Sequence, residues 1–385
     1  MKDTFNICMV TTFHPPFDNR IFYKEAKSLT KYYNVTVVAP SSEIQNGIYD
    51  GVKVVTVPSP TAKIFYPITL WRTFLQALRQ DADIYHCHEM ESLIIGIIIK
   101  ILKKKRVIFD VHEHWPSMWT LMVGNLLRMN IFKYPSTSAF FQRVIGRFEL
   151  FLAHFSDELI VVSDSVGELF QKQNVPFTVI MNVPRADITA SETILKKPHM
   201  LIYMGGNLGF SKGTEIAAGI ISSLKKEYPD ISLKIIGRTD RKFFEEYPDS
   251  DVKERTTITG LLPLDQMYQQ IKEGAIGLIL FQNTHYNSYI GLPNKLFDYM
   301  LCGLPVVASN FPEISRVITE SQCGILIDTS DSSSVNQAVR CLFSHPDEAV
   351  KIGINGRRAA IQKYNWAIME ENLLNIYASF QEGKH

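Results

Sequence analysis

At 385 residues the chain is longer than one typical hydrophobic core organises, so two domains of about 180 residues each are expected. Hydrophobic residues make up 46% of it, and 40 Lys plus Arg stand against 39 Asp plus Glu, which excludes a disordered chain and a polycationic nucleic-acid binder. Five scattered cysteines, Cys8, Cys87, Cys302, Cys323 and Cys341, without a Cys-x-x-Cys pair, point to a reducing compartment and to no metal site.

Asn6–Val10 reads as a first buried strand, ended by the proline-rich loop Thr11-Thr12-Phe13-His14-Pro15-Pro16. No basic-then-apolar leader precedes it, so a cytoplasmic protein is expected. Ile21, Phe22, Ala26 and Leu29 then recur at helical spacing. Strands at Val35–Ala39, Val52–Val57, Ile84–Cys87, Arg106–Val111 and Glu158–Val162 alternate with helical stretches around Leu70–Leu78 and Ser92–Leu102, the pattern of a doubly wound parallel sheet. The longest apolar run, Leu93–Ile99, is broken by Gly96 and is too short to span a membrane.

The first domain is therefore placed at 1–185, and residues 186–198, which lack periodicity, read as a linker. In the second domain, 199–365, strands are expected at Met200–Met204, Leu233–Ile236, Ile258, Ile276–Phe281, Pro305–Ala308 and Gly324–Ile327. The fold class is α/β, two Rossmann-like domains facing across a cleft, because ligands of such sheets sit outside the carboxyl ends of the strands.

Ser288–Ser309 is the stretch richest in chemistry. Leu296, Phe297, Met300 and Leu301 share one helix face, Pro293 suits the first helical position, and Gly303 suits the residue just past the end. Lys295, in the first turn, faces the positive end of the helix dipole at a cost of about a few tenths of a kcal/mol. Two positive features aimed at one place imply an anion such as a diphosphate, and Asp298, one turn on, can accept ribose hydroxyls. A solvated Lys–Asp pair at i,i+3 is the competing reading.

This segment, Pro-Asn-Lys-Leu-Phe-Asp-Tyr-Met-Leu-Cys-Gly-Leu-Pro-Val-Val-Ala-Ser, resembles the nucleotide-binding segment of the family 4 retaining glycosyltransferases of the GT-B fold, P-x-K-x-x-E-Y-x-A-x-G-x-P-V-V. Asp298 stands where that pattern has Glu, and Ile290 stands where many members carry a further acid. The resemblance spans almost the whole chain and implies a nucleotide-sugar donor, UDP-linked by expectation, held without a metal or other cofactor by Asn294, Lys295 and Asp298. It also implies that the last helix, 366–385, packs back on the first domain.

Gly205-Gly206-Asn207 and Ser211-Lys212-Gly213 are similar to the family's G-R-x-x-x-x-K-G segment. Lys212 matches the lysine on the donor diphosphate, whereas Gly206 occupies the position of the arginine. Gly237 and Arg238 match a glycine after a strand and a neighbour close to the nucleotide. Arg20, in a first loop without the family's glycine pair, is the candidate to replace the missing arginine on the diphosphate across the domains. The alternative is a surface arginine held by Asp18.

Asp110-Val111-His112-Glu113-His114 ends a strand. Three ligands rarely converge from such a strand-and-loop run, so zinc is rejected. The resemblance makes His112 a donor-sugar contact, while His86 or His88 lines an acceptor pocket or is a structural core histidine. Ser163 reads first as an N-cap, and Asn182 resembles an asparagine at the family's domain junction.

Between Trp115 and Phe155 aromatic residues interleave with bases, and from Lys100 to Arg147 nine Lys or Arg stand against two Asp or Glu. This face either fills an enlarged core or docks on the anionic inner face of the membrane, where a lipid-linked glycan acceptor would lie. Competing functions are a nucleotide-sugar 2-epimerase and a non-catalytic nucleotide-sugar-binding protein. A dehydrogenase would need G-x-G-x-x-G after an early strand, which the first loop lacks.

Overall fold

The computed structural model describes residues 5–59, 66–127, 135–189, 196–208, 213–239 and 249–382. The chain divides into two compact units: 1–182 together with 369–385, and 183–368. The segment expected as a linker, 186–198, thus groups with the second unit, within which the Trp366 amide also donates to the Pro184 carbonyl at 2.8 Å.

The first unit is built on eight strands: β1 Asn6–Val10, β2 Asn34–Ser41, β3 Gly47–Tyr49, β4 Val52–Pro58, β5 Ile84–Cys87, β6 Arg106–Val111, β7 Glu158–Val161 and β8 Thr178–Val179. Their order is β3-β4-β2-β1-β5-β6-β7-β8, parallel except for β3. Central β1 and β5 are almost continuously apolar because both sheet faces are covered. β3 and β4 form a hairpin whose two turn residues, Asp50 and Gly51, both have positive φ (50° and 83°). The helix Met90–Lys103 lies close over the sheet at Gly96, where an added Cβ would meet Cys87 Sγ at 2.6 Å. That close approach is why the apolar run is broken by a glycine. The helix Trp366–Glu382 contributes to this unit from Met369 onward, and its buried Tyr377 donates to or accepts from His86 Nδ1 at 2.8 Å.

The second unit carries β9 Met200–Leu208, β10 Ser232–Thr239, β11 Thr256–Ile258, β12 Ile276–Ile279, β13 Val306–Ser309 and β14 Gly324–Ile327. All are parallel, in the order β11-β10-β9-β12-β13-β14. One core cluster, including Leu201, Tyr203, Ile221, Leu233, Leu278 and Val339, lies under the helices of one face. The α/β class with two parallel sheets is as expected from the sequence. Among the described residues no helix is long and apolar enough to cross a membrane.

Candidate active site

In the first unit the loop after β1 enters a short π-helical turn, Ile21–Ala26, in which the Tyr23 amide reaches the Asp18 carbonyl (3.2 Å) and the Glu25 amide the Arg20 carbonyl (2.9 Å). Arg20 and Glu25 both become buried, at 3% and 0% exposure, with Arg20 Nε 2.8 Å from Glu25 Oε1. The Arg20 guanidinium grips Asp110 through Nε to Oδ2 (3.0 Å) and Nη2 to Oδ1 (2.9 Å), and its Nη1 donates to the Ile180 carbonyl (2.7 Å). This corrects the expectation of a diphosphate ligand or a surface arginine. Asp18 instead accepts from the backbone amides of Arg20 and Ile21, and the Arg20 side chain turns into the core, where the buried Asp110 carboxylate needs a cation.

Asp110, at the end of β6, also takes a hydrogen bond from His112 Nε2 at 3.0 Å, and His88 Nδ1 lies 3.4 Å from it. Burial by itself would raise the Asp110 carboxyl, but the adjacent Arg20 and His112 hold it well below the usual range. Burial pushes Glu25 well above its ordinary value, against Arg20 and with Asp110 adding to the rise, so of the two acids Glu25 keeps the proton. Burial lowers His86, His88 and His112, all of which are neutral at pH 7.

Glu25, His86, His88 and Asp110 offer ligand atoms within 4.8 Å of one another. Asp110 Oδ2 already accepts from Arg20 and His112, however, and a divalent ion would have to share both carboxylates with a fixed guanidinium. The donor set therefore suits a buried hydrogen-bond hub better than a metal centre.

A narrow recess with room for about one water molecule opens beside this hub, lined among others by His14, Glu89, His112, Glu113, Trp115 and Glu149. Glu89 is 4% exposed and is fastened by the Thr11 hydroxyl and the Thr12 amide (3.0 Å). His14 sits between Asp18 (3.4 Å) and Glu89 (3.7 Å). Burial works against its charge, but the Asp18 hydrogen bond and the charges of Glu89, Asp18 and Glu113 prevail and raise its pKa. Burial pushes the Glu149 carboxyl up to about 8 and Glu91 up to about 7. Ser163 caps its helix by accepting from the Val166 amide at 3.4 Å, as read from the sequence. Asn182 Oδ1 accepts from Lys24 Nζ at 2.5 Å.

In the second unit the helix Asn294–Leu301 has Pro293 as its N-cap, one position before the place expected for it, and Gly303 follows the end at φ 68°. Asn294 is exposed. Lys295 is 7% exposed, its Nζ lying 4.8 Å from the Tyr203 ring centre and 4.9 Å from that of Phe281. Two aromatic faces thus shelter the cation that the dipole disfavours. Asp298, one turn later and half-buried, accepts from the Tyr268 hydroxyl at 2.7 Å. Burial, then the Asp298 charge, drives the Tyr268 phenol far above its usual value, so it remains a donor.

Gly237, at φ 130°, packs so closely on β9 that a Cβ would meet the Gly205 carbonyl oxygen at 1.8 Å, and a bulge between Gly237 and Arg238 turns exposed Arg238 outward. Gly206 lies within β9. Lys212 falls outside the described residues. Its neighbour Gly213, at φ 79°, caps the helix Thr214–Leu224 and abuts the Leu280 carbonyl, where a Cβ would lie 2.1 Å away. Sequence reasoning missed Tyr268 and the acids Glu89 and Glu149. Tyr268 stands on the helix Leu264–Lys272, 30 positions from Asp298, and nothing local marks the pair.

Residues 19–185 match the family model described as Glycosyltransferase Family 4, and residues 198–345 match that described as Glycosyl transferases group 1. A phosphatidyl-myo-inositol mannosyltransferase of Mycolicibacterium smegmatis is 20% identical over 362 residues, covering 90% of this chain and 85% of that protein. An alpha-maltose-1-phosphate synthase of the same organism is 26% identical over 170 residues, 42% of this chain and only 43% of the synthase. The crystal structure of Anabaena HepE in complex with UDP and glucose superposes with a TM-score of 0.71 at 14% identity, covering 98% of this chain and all of that one.

Proposed function

The chain belongs to the family 4 glycosyltransferases of the GT-B fold, and from that membership we propose that it moves a sugar from a nucleotide-sugar donor to an acceptor hydroxyl, retaining the anomeric configuration and using no metal. The observation that carries the reading is the helix Asn294–Leu301, which brings Lys295 and Asp298 onto adjacent turns with Asp298 set by Tyr268. Lys295 and the helix N-terminus supply positive charge for a departing diphosphate, and Asp298 takes ribose hydroxyls. Lys212 adds a second cation, and Arg238 with the glycine-edged strand ends at Gly205, Gly206 and Gly237 lines the nucleotide. His112, at the end of β6, matches the histidine that contacts the donor sugar in the family. A UDP-linked donor is favoured because HepE holds UDP and glucose.

A lipid-linked glycan acceptor at the inner face of a membrane fits two observations. One curated relative is named for phosphatidyl-myo-inositol. On the helix Pro135–Ala153 and just beyond it, Phe140, Val144, Phe148, Phe151 and Phe155 are all exposed at near-helical spacing, with Ile101 and Leu102 of a neighbouring helix 73% and 62% exposed. Exposed bases at Arg143 and Arg147 accompany them, each worth about 1 kcal/mol near an anionic surface.

The deciding experiment incubates the protein with a UDP-sugar and a membrane-lipid extract, and follows UDP release and the anomeric proton of the product. Sugar transfer with the donor's anomeric configuration supports the reading. Release of UDP with free 2-epimerised sugar, or binding without release, would replace it by an epimerase or a non-catalytic binder.

A further inference from the structure

The helix Asn294–Leu301 carries its two charges against its own dipole: Lys295 stands in the first turn, at the positive end, and Asp298 in the last turn, at the negative end. The rings of Tyr203 and Phe281 shelter Lys295. The Asp298 end is held from outside, by the helix Pro346–Gln362. At that end the Gly303 amide donates to the Met300 carbonyl (2.9 Å) and the Leu304 amide to the Tyr299 carbonyl (3.0 Å), a Schellman closure, and the Cys302 amide donates to the Asp298 carbonyl (3.1 Å). The Leu301 carbonyl is left over, because the residue four positions on, Pro305, has no N–H. Arg357 Nη1 donates to it at 2.7 Å.

The two helices are built to meet there. A Cβ on Gly353 would lie 2.3 Å from the Gly303 carbonyl oxygen, so only glycine lets the backbones approach this closely. The Tyr364 ring, just past the second helix, lies against that of Phe297 with centres 5.2 Å apart. The local charges have the matching sense. Burial pushes the Cys302 thiol up to about 12; beyond burial, Asp298 raises it, and Lys272, Arg357 and Lys196 lower it. Three cations thus gather with Asp298 around the negative end of the helix, where they oppose the unfavourable meeting of carboxylate and dipole. Lys196 Nζ donates to the Gly303 carbonyl at 3.1 Å, whereas Arg357 reaches the last carbonyl of the helix itself, on the turn that bears Asp298.

We propose that Arg357 is a positioning residue for the nucleotide: by capping the helix Asn294–Leu301 at the Leu301 carbonyl, it fixes the turn from which Asp298 meets the ribose. The nucleotide role rests on the glycosyltransferase reading; the cap does not.

The test has two arms, both on the full chain well below the lowest Tm. In the first, amide hydrogen exchange is compared between the ligand-free wild type and Arg357→Met, which keeps the apolar stem and removes charge and donor. Exchange over residues 298–304 is expected to rise by a larger factor than exchange over β9 and β12, and a rise no larger than in those strands overturns the cap. In the second arm, UDP and GDP are titrated calorimetrically into the wild type, Arg357→Met, Asp298→Ala and the double variant. The nucleotide that binds the wild type is expected to bind Arg357→Met about threefold or more weakly, and the same change made in Asp298→Ala should weaken it little further. Wild-type affinity in Arg357→Met, or losses that simply add in the double variant, overturns the positioning role. If neither nucleotide binds the wild type, the nucleotide reading fails, and the exchange arm still decides the cap. Should Arg357→Met not fold, Arg357→Gln, which keeps a neutral donor, is read with the same signs.

Discussion

Arg20 and Asp110 form a buried two-bond ion pair, Nε to Oδ2 at 3.0 Å and Nη2 to Oδ1 at 2.9 Å, joining the turn after β1 to the end of β6. Removing one member of such a pair strands the other charge in the core. Arg20→Ala is therefore expected to lower unfolding free energy by about 3–5 kcal/mol in urea titrations. A phosphate-binding arginine at the surface would leave stability within about 0.5 kcal/mol of wild type, which would contradict this placement.

Glu149 gives stability a pH dependence of definite sign. Its folded pKa, raised from 4.5 to about 8, means that the native protein keeps a proton the unfolded chain releases. Stability contributed by this group is full below about pH 4.5 and declines as pH rises towards 8, by up to about 1.4 kcal/mol per pH unit. Glu149→Gln removes the titration, so the drop in Tm between pH 5.5 and pH 8 should be smaller in the variant. An unchanged drop would show that Glu149 is ionised in the native state.

Asp298 and Tyr268 are coupled, and their variants should report that coupling. Asp298→Ala removes the proposed ribose acceptor and should weaken binding of the preferred nucleoside diphosphate by about tenfold or more. Tyr268→Phe, which leaves the carboxylate but frees its orientation, should weaken it by less. Calorimetric titration of the folded variants measures both, and wild-type affinity in Asp298→Ala would remove that residue from the site.

On the helix Pro135–Ala153, Phe148 and Phe151 are 45% and 58% exposed. The double replacement Phe148→Ser/Phe151→Ser should cost little stability yet reduce co-sedimentation with vesicles containing anionic lipid several-fold, and added salt should weaken what remains. Binding by the double variant equal to that of the wild type would assign these aromatics no membrane role.

Much of the fold was legible because parallel strands buried on both faces read as continuous apolar runs: Ile84–Cys87, Arg106–Val111 and Gly324–Ile327 occur where they were expected. The β3–β4 hairpin was overlooked although Asp50-Gly51 is its signal, since β3 is only three residues long and exposed. Arg20 was misplaced for a deeper reason. Apolar periodicity marks which helix face is buried, but not that a π-helical turn carries an arginine into the core, nor that carboxylates 5 and 90 positions away await it. The helix that carries Lys295 and Asp298 was readable from one segment, whereas Tyr268, Glu89 and Glu149 reach their surroundings only through tertiary packing.

The central claim, that this chain binds a nucleotide sugar through the helix Asn294–Leu301, is tested most directly by thermal-shift titration with UDP, GDP, ADP and their glucose or mannose conjugates, on wild type and Asp298→Ala. One nucleotide series, UDP by expectation, should raise the wild-type Tm in a dose-dependent way and raise that of Asp298→Ala clearly less. No shift with any of them, or equal shifts in the two proteins, would contradict the account.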